Sequence, residues 1–149
     1  MSYSWHDSSA NHSFGTSVIE VVHLTAHLGG GVGKALSELV MATKAAATPV
    51  RHVFACLDRP EKSQFLDRIE RYGGEVLVEP DSSQLASRLR NADIVQLEWW
   101  NHPATIAALC NLPPLPMRLV VWSHVSGLYN PIIPPALVEV SDRFILTSP

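Results

Sequence analysis

A glycine-rich segment near the start of the chain has the residue types that bind anions. Four of the five residues from Gly29 to Gly33 are glycine. An apolar, β-branched stretch precedes the segment and apolar residues at helical spacing follow it, which predicts a strand, a loop and a helix. Glycines let the backbone approach a ligand, and the free N–H groups of a first helical turn attract negative charge. The segment therefore predicts a phosphate-binding loop, although a tight turn without a ligand fits the same glycines.

The spacing of the glycines narrows the choice of nucleotide. The dinucleotide fingerprint G-x-G-x-x-G fails, because its last glycine would fall at Lys34 or Leu36. Gly33 and Lys34 match the end of a P-loop and resemble the deviant P-loop of partitioning ATPases. Leu28 stands at the leading glycine, however, and Ala35 replaces the hydroxyl that binds magnesium. A nucleotide-binding P-loop therefore stays open only as an alternative.

A second group of polar and aromatic residues follows a predicted strand farther along the chain. The run from Glu98 to His102, which includes Trp99, Trp100 and Asn101, lies where the carboxyl end of a parallel strand places ligand-binding loops. Glu98, Trp99 and Asn101 are its candidate binding residues. Indole faces stack on the C–H surfaces of sugars, and Glu98 or Asn101 could bind hydroxyls. The structural alternative has one indole in the core and the next under a loop, with Asn101 capping the helix that begins near Pro103.

Two other kinds of site are not predicted. His23 and His27 lie four residues apart, but they straddle a strand end and have no third ligand nearby, so no metal site is expected. The chain has no G-x-S-x-G elbow, so a serine hydrolase is excluded as well.

The elements that position these residues alternate between strand and helix. This order predicts a doubly wound, Rossmann-like, mostly parallel sheet of about six strands, because parallel neighbours need helical crossovers. The predicted strands cover residues 19–24, 50–57, 75–78, 92–98, 118–123 and 143–147. The predicted helices begin near residue 32, cover 61–72, follow a cap at Asp81 or Ser82, and cover 103–109 and 136–140.

The composition limits the class of protein. The chain has 149 residues, is 46% hydrophobic and 17% charged, and carries a formal net charge of −3. These values predict one folded domain over residues 18–149, after a flexible leader over residues 1–17, and give no basic field for nucleic acid. No apolar run is long enough to span a bilayer, although peripheral membrane contact stays open. Cys56 and Cys110 are expected to be reduced core thiols, and a cytoplasmic location is predicted.

Three segments together resemble the N-terminal half of family 4 glycosyltransferases. They are the glycines at Gly30, Gly31 and Gly33, the strand from Ala92 to Glu98, and the strand that ends at His124 and is followed by Gly127. The resemblance covers residues 18–149. It implies a retaining enzyme of GT-B architecture that transfers a sugar from a nucleotide sugar to an acceptor, with no cofactor and no obligatory metal.

The resemblance also implies roles for individual residues. Gly30, Gly31 and Gly33 would lie near the donor diphosphate, and His124 would contact the transferred sugar. Lys34 occupies a place from which a cation could reach a phosphate, although a lysine at a helix start usually faces solvent. Tyr129 and Asn130 could contribute to an acceptor pocket.

Part of the implied enzyme is not encoded in these residues. The C-terminal domain that would bind most of the donor is absent, and the chain stops just after a predicted strand, so we expect a fragment that does not turn over alone. Besides the P-loop, one alternative from another class stays open. In that alternative the chain is a non-enzymatic half domain that binds a protein partner through its exposed cleft face.

Overall fold

The computed structural model describes residues 17–112 and 114–147, and in them strands and helices alternate along the chain. The strands are Ile19–Thr25 (β1), Val50–Cys56 (β2), Glu75–Val78 (β3), Ile94–Trp99 (β4), Leu119–Ser123 (β5) and Arg143–Leu146 (β6). The helices are Gly30–Ala45 (α1), Gln64–Arg71 (α2), Ser82–Asn91 (α3), Pro103–Asn111 (α4) and Pro135–Glu139 (α5).

The six strands form one parallel sheet in the order β3-β2-β1-β4-β5-β6. The chain winds outward from β1 to β3, crosses over, and winds outward again from β4 to β6. The predicted doubly wound, Rossmann-like fold is therefore confirmed, and every strand pair in it is parallel. The winding reverses between β1 and β4, so the carboxyl ends of these strands flank the crevice where such sheets bind ligands.

Each face of the sheet has its own apolar cluster. On one face Leu36 and Val40 of α1 and Ile69 of α2 pack with Phe54 and Cys56. The other face holds a larger cluster that includes residues of α3 and α5: Val22, Leu24, Val53, Ala55, Leu89, Val95, Leu97, Trp99, Leu119, Val121 and Leu137. Because side chains alternate along a strand, neighbouring residues of β1 or β4 belong to opposite faces.

Two helix starts differ from the sequence predictions. Helix α1 begins at Gly30 rather than near residue 32, so the glycines occupy its first turn instead of a loop before it. Helix α2 begins at Gln64 rather than at residue 61, and part of the preceding loop lines a cleft described below. The start of α3 agrees with the prediction, since Asp81 accepts hydrogen bonds from the backbone N–H groups of Ser83 and Gln84 in a capping box.

The two thiols differ in environment. Cys56 is buried, and burial raises the pKa of its thiol to about 12, whereas Cys110 is exposed on α4. The prediction that both are core thiols is therefore wrong for Cys110, which points away from the apolar face of its helix.

Two other predictions concern the chain as a whole. The leader predicted over residues 1–17 lies outside the described residues except for Ser17. Among the helices that the structure describes, none combines the length and the apolar character needed to cross a membrane.

Candidate functional site

A cleft of about 560 Å³ opens at the carboxyl edge of the sheet. Residues 27–30 form one wall, the loop from Asp58 to Lys62 contributes another, and His102 closes the side next to β4. Arg59 and Lys62 place positive charge in the lining, while Asp58 and Glu61 place negative charge there. The cleft is therefore polar and of mixed charge, and it lies at the reversal point of the sheet.

The amino end of α1 faces this cleft. Gly29 is the N-cap and Gly30, with φ of 57°, lines the cleft. Of the residues that the structure describes, none caps this end with a side-chain hydrogen bond, and the first turn carries no acidic residue. The first N–H groups of α1 are thus available to an anion, and the helix dipole favours one there.

Gly33 has a structural role rather than the predicted ligand contact. It is buried, and a Cβ built on it would lie 2.7 Å from the backbone carbonyl of Leu28 and from the ring of Phe65. Glycine is required here because α1 packs directly against the chain that enters it. Gly31 differs, since outside its chain neighbours and the nearby backbone of α1 none of the described atoms lies within 4 Å of the position that a Cβ would take there.

This difference defines a matched pair of variants. We expect Gly33→Ala to lower the free energy of unfolding by about 1–3 kcal/mol, because backbone atoms cannot yield to the added methyl group. Gly31→Ala should raise it by about 0.5–1 kcal/mol through helix propensity. Urea denaturation of both variants measures the two effects, and equal effects would contradict the packing role of Gly33.

Glu98 occupies the centre of a buried polar cluster beneath α1. It is fully buried, and its two carboxylate oxygens lie 2.7 Å from Nε2 of His124 and 2.9 Å from Nδ1 of His23. The amide of Gln96 donates a further hydrogen bond of 2.8 Å. The prediction that Glu98 binds substrate hydroxyls directly is therefore wrong, because its side chain is fully buried and already accepts three hydrogen bonds from within the protein.

The carboxyl group of Glu98 is held in its ionised form. Burial by itself raises the pKa of Glu98, but the hydrogen bonds from His124 and His23, with the electrostatic attraction between the rings and the carboxylate, outweigh burial and lower it. A carboxylate only accepts hydrogen bonds, so Nε2 of His124 and Nδ1 of His23 both carry hydrogen. Glu98 thereby sets the orientation and tautomer of His124, the predicted catalytic residue, whose side chain is 8% exposed.

Two further side chains extend the cluster away from the cleft. Nε2 of His23 lies 2.9 Å from Nδ1 of His52, and Nε2 of His52 lies 3.0 Å from the hydroxyl of Thr43. Burial and the neighbouring His23 lower the pKa of His52 to about 4. His52 is therefore neutral at physiological pH.

The shift at His52 predicts a pH dependence of stability. In the unfolded chain His52 takes up a proton below about pH 6.5, whereas in the fold it stays neutral until about pH 4. Stability is then lost as the pH falls through this window, with a slope of up to about 1.4 kcal/mol per pH unit. His52→Asn should flatten that slope in urea titrations at pH 7, 6 and 5, and parallel curves would show that His52 does not contribute.

The adjacent tryptophans have opposite surroundings. Trp99 is 3% exposed and belongs to the apolar cluster on the far face, so the prediction that it stacks on a sugar is wrong. Trp100 instead lies between His27 and His124, with ring centroids 5.7 and 6.3 Å away, and 6.1 Å from His102. Alternation along a strand predicts that the two indoles lie on opposite faces of the sheet, but it does not show which of them faces the site.

The remaining predicted residues are outside the cleft lining. Lys34 and Asn101 are exposed, and Asn101 has φ of 63°. His102, not Asn101, caps α4, since its Nδ1 accepts a hydrogen bond from Ala104. Tyr129, 82% exposed, and Asn130 lie in the loop after His124, and their predicted role in acceptor binding stays a prediction.

Several residues of the cluster and of the cleft escape sequence reasoning. The sequence raises His23 only as a metal ligand and assigns no role to His52. It considers Trp99 and Trp100 together, but it names Trp99 as the binding residue. Polar residues at alternate positions, His23 and Thr25 in β1 and Gln96 and Glu98 in β4, are the signal that could have found the buried cluster. Within residues 17–112 and 114–147, no three His, Cys, Asp or Glu side chains are arranged to hold a metal ion.

The fold and the cluster define a doubly wound α/β domain with an oriented histidine beside the crevice. Models of known protein families give no match to this sequence. The curated proteins give no match either. Among solved structures, the chain is similar to the crystal structure of AibC, with 23% identity and a TM-score of 0.42 over 87% of this chain. The chain spans 35% of the length of AibC.

Proposed function

We propose that this chain is the acceptor-side domain of a retaining glycosyltransferase, which transfers a sugar from a nucleotide sugar to an acceptor. The observation that carries the proposal is the hydrogen bond between the buried Glu98 carboxylate and His124, at the carboxyl edge of the sheet. A histidine oriented in this way can direct its remaining ring nitrogen at a sugar hydroxyl, which is the role that the sequence resemblance implies.

The amino end of α1 supplies the second part of the proposed site. As a sugar is transferred, negative charge develops on the departing diphosphate. N–H donors that already point at this charge stabilise it without the cost of reorienting during the reaction. The uncapped first turn at Gly30 provides these donors without a metal, and the mixed-charge lining of the same cleft includes Arg59 and Lys62.

The aromatic side chains between the cleft and His124 fit a sugar. The rings of His27, Trp100 and His102 contact one another edge to face, with centroids 5.5 to 6.1 Å apart. Such a surface offers flat apolar area next to polar groups, as carbohydrate recognition requires. Trp100 therefore replaces Trp99 in the proposed binding surface.

The geometry disfavours the P-loop alternative. A P-loop surrounds the phosphates with loop backbone before its helix begins. Here only residues 26–29 separate β1 from α1, and Gly33 and Lys34 lie within the helix. Together with Ala35 in place of the magnesium-binding hydroxyl, this arrangement supports the transferase proposal over nucleotide hydrolysis.

The proposal includes a cytoplasmic site of action and a second domain that binds most of the nucleotide sugar. The thiols of Cys56 and Cys110 are free, which is consistent with a reducing compartment. Because the donor site lies mostly on the second domain, we expect this chain alone to bind nucleotide sugars weakly, with Kd values in the millimolar range.

Titration of the isotopically labelled chain tests the proposal. Uridine, guanosine and adenosine diphosphate sugars, the free sugars and ATP with magnesium are added in turn. The proposal predicts that a nucleotide sugar shifts the NMR signals of Gly30, Trp100 and His124, while the exposed residues of α3 stay unchanged as an internal control. Binding of ATP with magnesium alone would favour the P-loop, and no shift from any diphosphate sugar would contradict the proposal.

A further inference from the structure

A continuous hydrogen-bonded chain crosses the interior beneath α1. It runs from Thr43 on α1 through His52 on β2, His23 on β1 and Glu98 on β4 to His124 after β5. The successive distances are 3.0, 2.9, 2.9 and 2.7 Å. Each distance is that of a normal hydrogen bond, so each member contacts the next without a gap.

The two ends of this chain reach different parts of the molecule. His124 ends it next to Trp100, beside the cleft. Thr43 and His52 end it in a second cavity of about 240 Å³, which Lys44 and Tyr72 also line. This cavity adjoins the start of β2 and the end of α1, opposite the carboxyl edge of the sheet. Between the ends, His23 and Glu98 are both fully buried.

The hydrogens of the chain can be arranged in two ways. In the first, Thr43 donates to His52, His52 donates from Nδ1 to His23, and neutral His23 donates to Glu98. In the second, Thr43 donates to the carbonyl of Leu39, 2.9 Å away, and His52 donates from Nε2 to Thr43. His23 then carries hydrogen on both nitrogens, and its positive charge neutralises Glu98. The second arrangement holds one more proton than the first.

We propose that His52 and Thr43 form a proton relay that loads His23 from the second cavity and so couples that cavity to His124. The Thr43 hydroxyl first turns to the carbonyl of Leu39, which frees the lone pair of Nε2 of His52. An acid in the solvent, hydronium or a buffer acid, then transfers its proton to Nε2 and leaves as water or as the buffer base. The N–H bond at Nδ1 of His52 breaks, and one forms at Nε2 of His23. Unloading is the reverse, and no oxidant or reductant takes part.

The surroundings of His23 favour this route. Its ring stacks on Phe54, with centroids 4.4 Å apart and planes 10° from parallel, so the ring is held in place. His52 faces it from β2, Glu98 faces it from β4, and Gln96 bonds the same carboxylate oxygen. Lys44 is the charged group at the cavity end of the path. Protonated His23 is hydrogen-bonded directly to the Glu98 carboxylate, which in turn orients His124. This contact does not depend on which ligand the cleft binds.

The relay is tested by the exchange of imidazole N–H protons with water, measured by NMR on the unliganded chain with ¹⁵N-labelled histidine. An asparagine in place of His52 would keep a donor near the position of Nδ1 but could not pass a proton on. His52→Asn should therefore slow exchange at Nε2 of His23, the nitrogen that faces His52, by at least about tenfold, because the remaining path needs local opening. Thr43→Val should slow it in the same direction. Tyr72→Phe changes the lining of the second cavity but none of the hydrogen-bonded residues, so it should leave the exchange rate unchanged.

Two outcomes would overturn the relay. One is wild-type exchange at Nε2 of His23 in His52→Asn, and the other is equal slowing in Thr43→Val and Tyr72→Phe. If His52→Asn does not fold, Thr43→Val compared with Tyr72→Phe decides alone. None of these measurements uses a sugar or a nucleotide, so failure of the relay and failure of the transferase proposal are distinguishable.

Discussion

Replacing Glu98 with alanine is expected to lower the free energy of unfolding by about 3–5 kcal/mol, since it removes the central partner of a buried charged cluster. His23 and His124 each lose the acceptor for a hydrogen bond, at 2.9 and 2.7 Å, and the amide of Gln96 loses its partner. A cavity is left under α1 as well, and a buried N–H group without a partner adds a desolvation cost. Urea denaturation at pH 7 measures the change.

Glu98→Gln is the matched control for this prediction. It keeps the volume and one acceptor oxygen, so the cavity term disappears and one imidazole keeps its bond. We expect a smaller loss of about 1–2 kcal/mol, because only the charge and one hydrogen bond change. A loss below about 1 kcal/mol for Glu98→Ala, or equal losses for both variants, would contradict the central role of the carboxylate.

Replacing His124 is expected to have the largest effect on activity. In the complete enzyme that the proposed function requires, His124→Ala should reduce sugar transfer by about 10²–10³-fold, as loss of one preorganised polar group at a reacting centre typically does. The effect should appear mainly in kcat if His124 contacts the sugar more strongly in the transition state than in the ground state.

His124→Gln separates this role from support of the fold. Glutamine places an amide donor near the position of Nε2, so it preserves the bond to Glu98 but removes the second ring nitrogen. We expect His124→Gln to lose transfer as strongly as His124→Ala while keeping more of the wild-type stability. Unchanged transfer in the glutamine variant would show that the second ring nitrogen of His124 does not contact the sugar. Unchanged transfer in both variants would show that His124 has no role in catalysis.

Much of the architecture could be predicted because its signals are local. Predicted strands from alternating or continuous apolar runs lie within about two residues of the observed ones, and residue types alone place the cap of α3 at Asp81 or Ser82. The fold class follows from the order of elements, since parallel strands need helical crossovers. The helix starts at Gly30 and Gln64 are predicted less well, because neither has a strong side-chain cap.

The candidate site was less predictable, because side-chain direction depends on pairing between distant strands. Glu98 and Trp99 are adjacent in sequence, yet one lies in the polar cluster under α1 and the other in the apolar cluster on the far face. Alternation along a strand places such neighbours on opposite faces of the sheet. Which face each side chain occupies is decided by the strand register and by the helices that cover each face. The role of Gly33 likewise depends on the position of Leu28, whose backbone carbonyl leaves no room for a Cβ. The sequence does not show this contact, so it could not show that Gly33 packs against the backbone rather than binding a ligand.

The sequence by itself determined the order of strands and helices, the doubly wound class of the fold and the glycine segment at its reversal point. Only the tertiary structure decided that His23, His52, Glu98 and His124 form one buried chain. These residues come from separate elements, with His23 and Glu98 75 positions apart, and they meet because β1 pairs with both β2 and β4. Hydrogen bonds between such distant residues exist only once the strand register is set, and no local pattern encodes that register.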